Sequence, residues 1–303
     1  MKKKIKRIFA IVIVILLVLV ICLTLWLPSF VMKGKRQTLR EAFKWQSDHY
    51  DTSFYKTLKK KDYTVKGDQG YVLHVELLKN PKVSYKYIIL SHGYTDNRMG
   101  SLKYVKMYLQ LGYNCIIYDL RGHGENASTI TTYGMREGKD LNALIKDTRK
   151  RYSDLTVLGL HGESLGAATT ISSLQYKPDV DFVVSDCGFA DIENVLKDGY
   201  RKAHVPVFLV DLANVGARLR YHVSIKKMRP IEALKNNQVP ILFIHGQDDA
   251  FIDSSNSKRM ADADSGYHEY YEIPTAGHAE SIFVAPKDYQ KYVSGFLKKV
   301  VTK

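Results

Sequence analysis

"LTVLGLHGESLGAATTISSLQY", residues 155–176, joins an apolar run to a run of small residues through the turn Gly162-Glu163-Ser164-Leu165-Gly166. The apolar run predicts a buried strand over 155–162, and the small residues predict a helix over 165–176. Glycines on both sides of a serine let strand and helix approach closely, as at a nucleophile elbow. Serine is also a favoured first residue of a helix, so the turn alone does not make Ser164 a nucleophile.

Strands and helices are predicted to alternate along most of the chain. A Gly-Asp-Gln-Gly turn in residues 63–78 predicts an antiparallel hairpin. Near-continuous apolar runs then predict strands at 85–93, 113–124, 155–162, 180–188, 239–246 and 267–274, with helices at 99–112, 135–152, 165–176 and 286–300. Strands of this kind are buried on both faces of a parallel sheet. The pattern therefore predicts an α/β fold with a mostly parallel central sheet and helices on both faces.

One interval is too long for a simple crossover between strands. Residues 189–238 separate two predicted strands, and we expect a small helical cap over about 189–230. The cap contains an apolar stretch with Val205, Val207, Phe208 and Leu209. These side chains either form an apolar ceiling over a pocket or pack the cap on the core.

Polar residues that fit nucleophilic catalysis follow three of the predicted strands. Ser164 follows the strand at 155–162, Asp249 lies 85 residues later, and His278 a further 29 residues on. Ligands of open α/β sheets bind at the carboxyl ends of strands, so these residues are expected to meet. A serine hydroxyl needs a base to take its proton, and a histidine oriented by a carboxylate supplies one. The order Ser, Asp, His along the chain is that of α/β-hydrolases.

Five motifs in order give the chain, from about residue 63 to 300, a close resemblance to the α/β-hydrolase superfamily. They are "SHGYTDNR" (91–98), "YDLRGHGEN" (118–126), "HGESLGAA" (161–168), "IHGQDDAFI" (244–252) and "AGHAE" (276–280). "HGESLGAAT" and "SDCGF" resemble, in particular, membrane-anchored or secreted bacterial hydrolases of the serine aminopeptidase-like and Bem46-like groups.

The resemblance implies a role for each matching position. Ser164 is the expected nucleophile, His278 the general base and Asp249 the acid that orients it. The backbone N–H groups of Tyr94 and Leu165 are the expected oxyanion hole. The resemblance implies neither a cofactor nor a metal.

Neighbouring residues leave some alternatives open. The spacing H-G-x-x-D selects Asp249, and Asp186 is an alternative acid. Arg121 and His123 are expected to hold a loop near the site. His92 and His245 are expected to satisfy local backbone groups, and Glu163 is expected to point away from the nucleophile in a structural role.

The N-terminus predicts a membrane anchor. Residues 8–27 carry no charge, and 20 helical residues span about 30 Å, the thickness of a bilayer core. "LPSFVMKGK" (27–35) offers no small-x-small cleavage site, which favours an uncleaved signal anchor over a signal peptide. Five Lys/Arg precede the span, and Lys33, Lys35, Arg36 and Arg40 follow it. The balance favours a single-pass protein of the cell membrane whose hydrolase domain lies outside the cytoplasm.

The expected organisation is a basic tail and anchor at 1–32, a lead-in segment at 33–62 and a hydrolase domain at 63–303. The chain of 303 residues has a net charge of +14, of which +9 lies beyond residue 32. The lysines are dispersed and no nucleic-acid module is present, so nucleic acid is not an expected partner. Three cysteines without paired spacing indicate neither a disulfide framework nor a zinc site. The oligomeric state stays open.

The sequence thus predicts a serine hydrolase that acts on a small-molecule acyl substrate. A carboxylic ester is the first choice, because acyl transfer from an ester demands least of the pocket. Cleavage of peptides, amides or thioesters and acyl transfer use the same residues and remain open. A non-catalytic surface binding protein on a hydrolase scaffold is the alternative of another class.

Overall fold

The computed structural model describes residues 2–301. Its central sheet comprises the strands β1 (Lys60–Lys66), β2 (Val72–Leu78), β3 (Lys86–Ser91), β4 (Tyr113–Tyr118), β5 (Val157–Glu163), β6 (Phe182–Asp186), β7 (Ile241–Gly246) and β8 (His268–Ile273). Their spatial order is β1-β2-β4-β3-β5-β6-β7-β8. Only the β1–β2 and β2–β4 pairs of this described sheet are antiparallel. The mostly parallel sheet and the leading hairpin predicted from the sequence are confirmed.

Helices cover both faces of the sheet. They are α1 (Lys2–Met32), α2 (Leu39–His49), α3 (Ser53–Thr57), α4 (Leu102–Gln110), α5 (Glu137–Arg151), α6 (Leu165–Ser173), α7 (Ile192–Lys202), α8 (Phe208–Tyr221), α9 (Ser255–Ala263), α10 (Ser281–Val284) and α11 (Pro286–Val300). Successive side chains of a strand point to opposite faces, and Ile88 and Ile89 of β3 accordingly enter the two separate apolar clusters of the core. The sheet is therefore buried on both sides.

The topology brings the loops that carry Ser164, Asp249 and His278 to one edge of the sheet. Because β3, β5, β6, β7 and β8 are parallel, the loops that follow them meet at the carboxyl edge of the sheet. Helices α7 and α8 occupy the interval expected to hold a cap. The sequence did not predict α9, although its N-terminus lies near the same edge.

Helix α1 is long and apolar enough, by length and composition, to cross a membrane. Its 31 residues span about 46 Å, and nearly all side chains before Thr24 are exposed. A signal sequence near an N-terminus also meets this criterion of length and composition. Trp26 and Phe30 are exposed and stack on each other with 5.5 Å between ring centroids.

The last turns of α1 pack against the rest of the protein. Leu27, Val31 and Met32 are buried in the main apolar cluster. Gly34 N–H donates to the Tyr94 hydroxyl at 2.8 Å, and Gln37 N–H donates to the Thr95 carbonyl at 2.8 Å. The end of α1 is thus part of the folded domain rather than a free tether.

Candidate active site

Ser164 lies at a sharp turn between β5 and α6. Its backbone is in a strained conformation, with φ 53° and ψ −113°. A Cβ on Gly162 would fall 2.2 Å from the Gly166 carbonyl oxygen, and one on Gly166 would fall 2.0 Å from the Ser91 carbonyl oxygen. Only glycine fits at either position, because strand, turn and helix are in backbone contact there.

The structure brings Ser164, His278 and Asp249 together. His278 Nε2 lies 3.0 Å from Ser164 Oγ, and His278 Nδ1 lies 2.7 Å from Asp249 Oδ2. An ionised carboxylate only accepts, so Nδ1–H donates to Asp249 and Nε2 is left to accept the serine proton. His278 is therefore oriented as a base towards the Ser164 hydroxyl.

The carboxylate of Asp249 is buried and heavily hydrogen-bonded. Burial alone would raise its pKa, but hydrogen bonds from His245 and His278 and from the backbone N–H of Ile252 outweigh burial, so the pKa lies well below its usual range. Asp249 Oδ1 accepts from the N–H groups of Phe251 and Ile252 at 2.9 and 2.8 Å. Asp249 is accordingly ionised at neutral pH and held in one orientation.

His245 differs from the expectation that it serves only local backbone groups. Its Nε2 lies 2.9 Å from the Ile252 carbonyl and also 3.1 Å from Asp249 Oδ2. Both partners of Nε2 are acceptors, so Nε2 carries a proton and His245 supports the Asp249 carboxylate, while Nδ1 lies 2.7 Å from Ser257 Oγ. Sequence reasoning missed this because His245 precedes a glycine at a strand end, where a backbone role is the ordinary one.

The alternative acid Asp186 has other partners. The Tyr289 hydroxyl donates to Asp186 Oδ2 at 2.9 Å, and the Tyr104 oxygen lies 3.0 Å from the same atom. Asp186 is fully buried, and burial with the nearby Glu163 raises its pKa to about 6. Its backbone carbonyl accepts from Ser164 N–H at 2.9 Å. Asp186 therefore supports the turn that carries Ser164 and does not contact His278.

Two backbone segments flank Ser164 where an oxyanion would form. Leu165 is the first residue of α6, and N–H groups in the first turn of a helix have no partner within it. Gly93 lies beside the serine, since a Cβ added to Gly93 would be 3.8 Å from Ser164 Cβ. The peptide joining Gly93 to Tyr94 is thus next to Ser164.

The carboxylate of Glu163, the residue before Ser164, forms a buried ion pair beside the cavity. It contacts the ammonium group of Lys103 and accepts from Tyr104 Oη at 2.5 Å. Burial would lower the pKa of Lys103, but Glu163 more than offsets this and holds the pKa above its usual value. The structural role expected for Glu163 fits these contacts.

Ser164 and His278 face a cavity of about 460 Å³. Its lining is partly aromatic and comes mostly from the five sequence motifs, which supply Gly93, Tyr94, Thr95, Asp96, Glu163, Ser164, Phe251, His278, Ala279 and Glu280. The lining residues outside the motifs are Gln37, Trp45, His49, Tyr50, Lys103 and Phe283. Burial raises the pKa of Asp96 to about 6. Sequence reasoning missed the contribution of α2, because no signal in residues 39–49 indicates which face of that helix meets the site.

The cap does not supply the ceiling of this cavity. None of Val205, Val207, Phe208 and Leu209 is among the lining residues. Phe208 is 60% exposed and Val205 36% exposed. The expectation that these side chains cover the pocket is wrong, because the cavity is lined by α2 and by the loops at the strand ends instead.

A polar cluster behind the cavity ties the end of α1 to the loop after β3. Arg36 donates to His123 Nε2 and, at 2.7 Å, to Thr131 Oγ1, and its guanidinium lies 4.8 Å from the centre of the Tyr94 ring. Arg121 pairs with Asp140 at 2.7 Å. Arg121 and His123 thus hold loops near the site, as predicted.

No cluster of three or more His, Cys, Asp or Glu side chains suited to a metal ion occurs within residues 2–301. The donors that converge on the site are the imidazoles and carboxylates already paired with each other. The arrangement is suited to proton transfer and to attack by a hydroxyl on a carbonyl carbon.

Residues 100–301 match the prolyl oligopeptidase family. The chain belongs to this family. This member of the prolyl oligopeptidase family is also 30% identical over 274 residues to the uncharacterized protein YqkD of Bacillus subtilis (strain 168), with 87% of this chain and 88% of YqkD covered.

Solved structures resemble the fold of this prolyl oligopeptidase family member. The esterase Pf2001 of Pyrococcus furiosus has a TM-score of 0.69 at 22% identity, with 83% of this chain and 95% of the esterase covered. An esterase of Exiguobacterium antarcticum has a TM-score of 0.59 at 15% identity, with 78% and 100% covered. The α/β-hydrolase superfamily predicted from the sequence is confirmed, and the protein is a hydrolase in the general sense.

Proposed function

We propose that this protein is a serine hydrolase that cleaves a carboxylic ester through an acyl-enzyme on Ser164. The observation that carries the proposal is the position of His278, 3.0 Å from Ser164 Oγ on one side and 2.7 Å from Asp249 Oδ2 on the other. This is the spacing that general-base activation of a serine requires.

Each residue has one role in the proposed reaction. His278 takes the proton of Ser164 as the hydroxyl attacks the carbonyl carbon, and Asp249 stabilises the imidazolium that forms. The N–H groups of Tyr94 and Leu165 bind the tetrahedral oxyanion, and such donors are worth about 3–4 kcal/mol each. His278 then protonates the leaving alkoxide, and water attacks the acyl-enzyme by the same steps in reverse.

An ester is the preferred substrate over a peptide. The lining of the cavity is rich in aromatic side chains, which suit an acyl or aryl group. Glu163, a carboxylate that could bind the amino terminus of a peptide, is already paired with Lys103. The resemblance in fold to proteins named as esterases points the same way. Membership of the prolyl oligopeptidase family favours a peptidase as the second candidate. A thioesterase, an amidase or an acyltransferase would use the same residues.

A fluorophosphonate probe tests the nucleophile. We expect covalent labelling of the wild type and none of Ser164→Ala, while Ser294→Ala, which replaces a serine of α11 outside the cavity, labels fully. Equal labelling of wild type and Ser164→Ala would overturn the assignment.

A substrate panel separates the activities. p-Nitrophenyl esters of increasing chain length should be hydrolysed faster than aminoacyl or prolyl p-nitroanilides and thioesters. Preferential turnover of the anilides would select the peptidase. A correctly folded protein that neither labels nor turns over any ester or anilide would instead be the non-catalytic binding protein.

The proposed enzyme is held in the cell membrane by residues 1–32, with the lead-in at 33–62 and the hydrolase domain at 63–303 outside the cytoplasm. The length and apolar composition of α1 support the anchor. Protease added to intact cells should degrade the hydrolase domain. Degradation only after lysis would overturn this orientation.

A further inference from the structure

An exposed apolar surface lies on the cap, away from the cavity. The cap tip, residues 203–208, joins α7 to α8 and includes Val205, 36% exposed, and Phe208, 60% exposed. Val215 and Leu219 are 45% and 63% exposed further along α8. Because Phe208, Val215 and Leu219 are spaced by seven and four residues, they lie on one face of the helix. A contiguous apolar face of this kind marks an interaction surface.

The same helix packs against the end of α1. A Cβ on Gly216 would fall 1.8 Å from the Thr24 carbonyl oxygen, so the two backbones are in contact there. Further along both helices, Arg220 donates to Ser29 Oγ at 2.8 Å. Later residues of α8 therefore meet later residues of α1. The residues of α8 before Gly216, and with them the cap tip, therefore lie on the side of this contact towards the earlier residues of α1.

The charge of the cap complements an anionic surface. Residues 189–230 contain eight Lys/Arg and four Asp/Glu. Arg201 and Lys202 immediately precede the cap tip, and Arg218 and Arg220 lie on the last turn of α8. Apolar side chains flanked by cations are the pattern of a surface that enters the headgroup layer of anionic lipids.

The residue before the cap tip contacts the loop at the mouth of the cavity. Lys202 Nζ donates to the carbonyl of Ala250 at 2.6 Å. The next residue, Phe251, is 66% exposed and lines the cavity, with its ring 5.1 Å from the ring of His278. The segment that leads into the cap tip is therefore in contact with the loop that places Phe251 at the cavity.

We propose that the cap tip enters the headgroup layer of an anionic bilayer and that the substrate is an acyl ester resident in that bilayer. The substrate class rests on the proposed ester hydrolysis. Ser164 Oγ forms a new ester with the fatty acyl group, and the lipid alcohol leaves with the proton carried by His278. Water then releases the fatty acid and restores Ser164.

The position of the cap tip is tested on the full chain in vesicles of phosphatidylcholine and phosphatidylglycerol. Phe208→Cys, in a Cys22→Ser background, carries an environment-sensitive fluorophore. Val83→Cys is the matched control, because Val83 is apolar, 87% exposed and lies before β3 at the opposite edge of the sheet. We expect spin-labelled lipid to quench the fluorophore at 208 and not at 83. Equal quenching at the two positions would overturn the membrane contact.

The substrate class is tested with Phe208→Asp and the control Val83→Asp. We expect Phe208→Asp to hydrolyse a long-chain fluorogenic ester in the same vesicles about tenfold more slowly, equivalent to about 1.4 kcal/mol, because a carboxylate at this depth weakens seating on the bilayer. Its kcat/KM for soluble p-nitrophenyl butyrate should equal that of the wild type. Equal loss on both substrates, or no loss on either, would overturn the proposal.

The two tests separate this inference from the proposed function. If the wild type hydrolyses no ester while the fluorophore at 208 is quenched, ester hydrolysis and the substrate class are both wrong and the membrane contact stands. If the wild type hydrolyses soluble esters but the fluorophore at 208 stays unquenched, the membrane contact is wrong and ester hydrolysis stands.

Discussion

Helices α6 and α8 lie on two sides of the same molecule and differ in what surrounds them. Every residue of α6 is buried, and none is charged. Only five residues of α8 are buried, and large apolar side chains on its other face are exposed. Protein contacts on all sides fix α6 and, with it, Ser164. Helix α8 is supported by the core and α1 and has an apolar face without a protein partner among the described residues.

Gly166→Ala and Gly216→Ala test this difference most strongly. The new Cβ would meet the backbone of Ser91 in the first case and of Thr24 in the second. We expect Gly166→Ala to lower the free energy of unfolding by about 3 kcal/mol or more and to abolish ester hydrolysis, because α6 has nowhere to move. Gly216→Ala should shift only α1 against α8.

Chemical unfolding followed by circular dichroism measures both glycine variants. The contrast between the two helices would fail if Gly216→Ala destabilised the protein as much as Gly166→Ala.

Asp249→Asn tests only the buried region around α6 and Ser164. An amide cannot stabilise the imidazolium of His278, and we expect kcat/KM for a p-nitrophenyl ester to fall by about 10³–10⁴. Asp248→Asn is the matched control, since Asp248 is an exposed neighbour in the same loop. A larger loss for Asp248→Asn, or for Asp186→Asn, would reassign the acid.

His92, which is buried, makes the stability of the protein depend on pH. Its Nε2 accepts from Leu120 N–H at 2.9 Å and its Nδ1–H donates to the Gly93 carbonyl, so a second proton has no acceptor. Burial lowers the pKa of His92 from 6.5 to about 4. The unfolded chain therefore binds the proton first, and stability is full above pH 6.5 and falls as the pH drops towards 4. The loss amounts to about 3 kcal/mol.

His92→Gln keeps an acceptor and a donor but does not titrate. Unfolding measured between pH 4 and 7 should show a flatter pH dependence for His92→Gln than for the wild type. Identical slopes would remove His92 as the cause.

Arg36→Ala tests whether the end of α1, which packs against α8, is coupled to the region around Ser164. Arg36 connects the segment after α1 to the loop that carries Tyr94, and its loss should loosen the expected oxyanion donor. We expect kcat for a soluble ester to fall about tenfold with KM unchanged, because the interaction with the oxyanion exists only in the transition state. Arg40→Ala, at an exposed position of α2, should have no effect. An effect on KM alone would contradict this coupling.

The sequence predicts the buried side of the molecule better than the exposed side. Ser164, Asp249 and His278 each follow an apolar strand, and parallel strands end at one edge, so local patterns suffice to bring them together. The cap contains equally clear apolar residues at 205–209, but an apolar side chain fits a pocket ceiling, a core contact or a bilayer. Which of these applies depends on the direction of the junction between α7 and α8, which only tertiary packing sets.

The same reason explains why Trp45, Tyr50 and Phe283 were not predicted to line the cavity. They lie outside the strand-end motifs, on or beside short helices whose orientation depends on distant contacts such as the 5.5 Å edge-to-face contact of Tyr50 with Phe283. The interaction of His245 with Asp249 was missed for a related cause, since it requires the loop after β7 to fold back on its own strand.

Proteolytic shedding would not leave this enzyme intact. Val31 and Met32 are buried in the core, and the Tyr133 hydroxyl donates to the Val31 carbonyl. A cut between α1 and α2 would remove these residues from the interior and detach Gly34 or its neighbours from Tyr94. A form released by such a cut would therefore be less stable and have a looser loop beside Ser164.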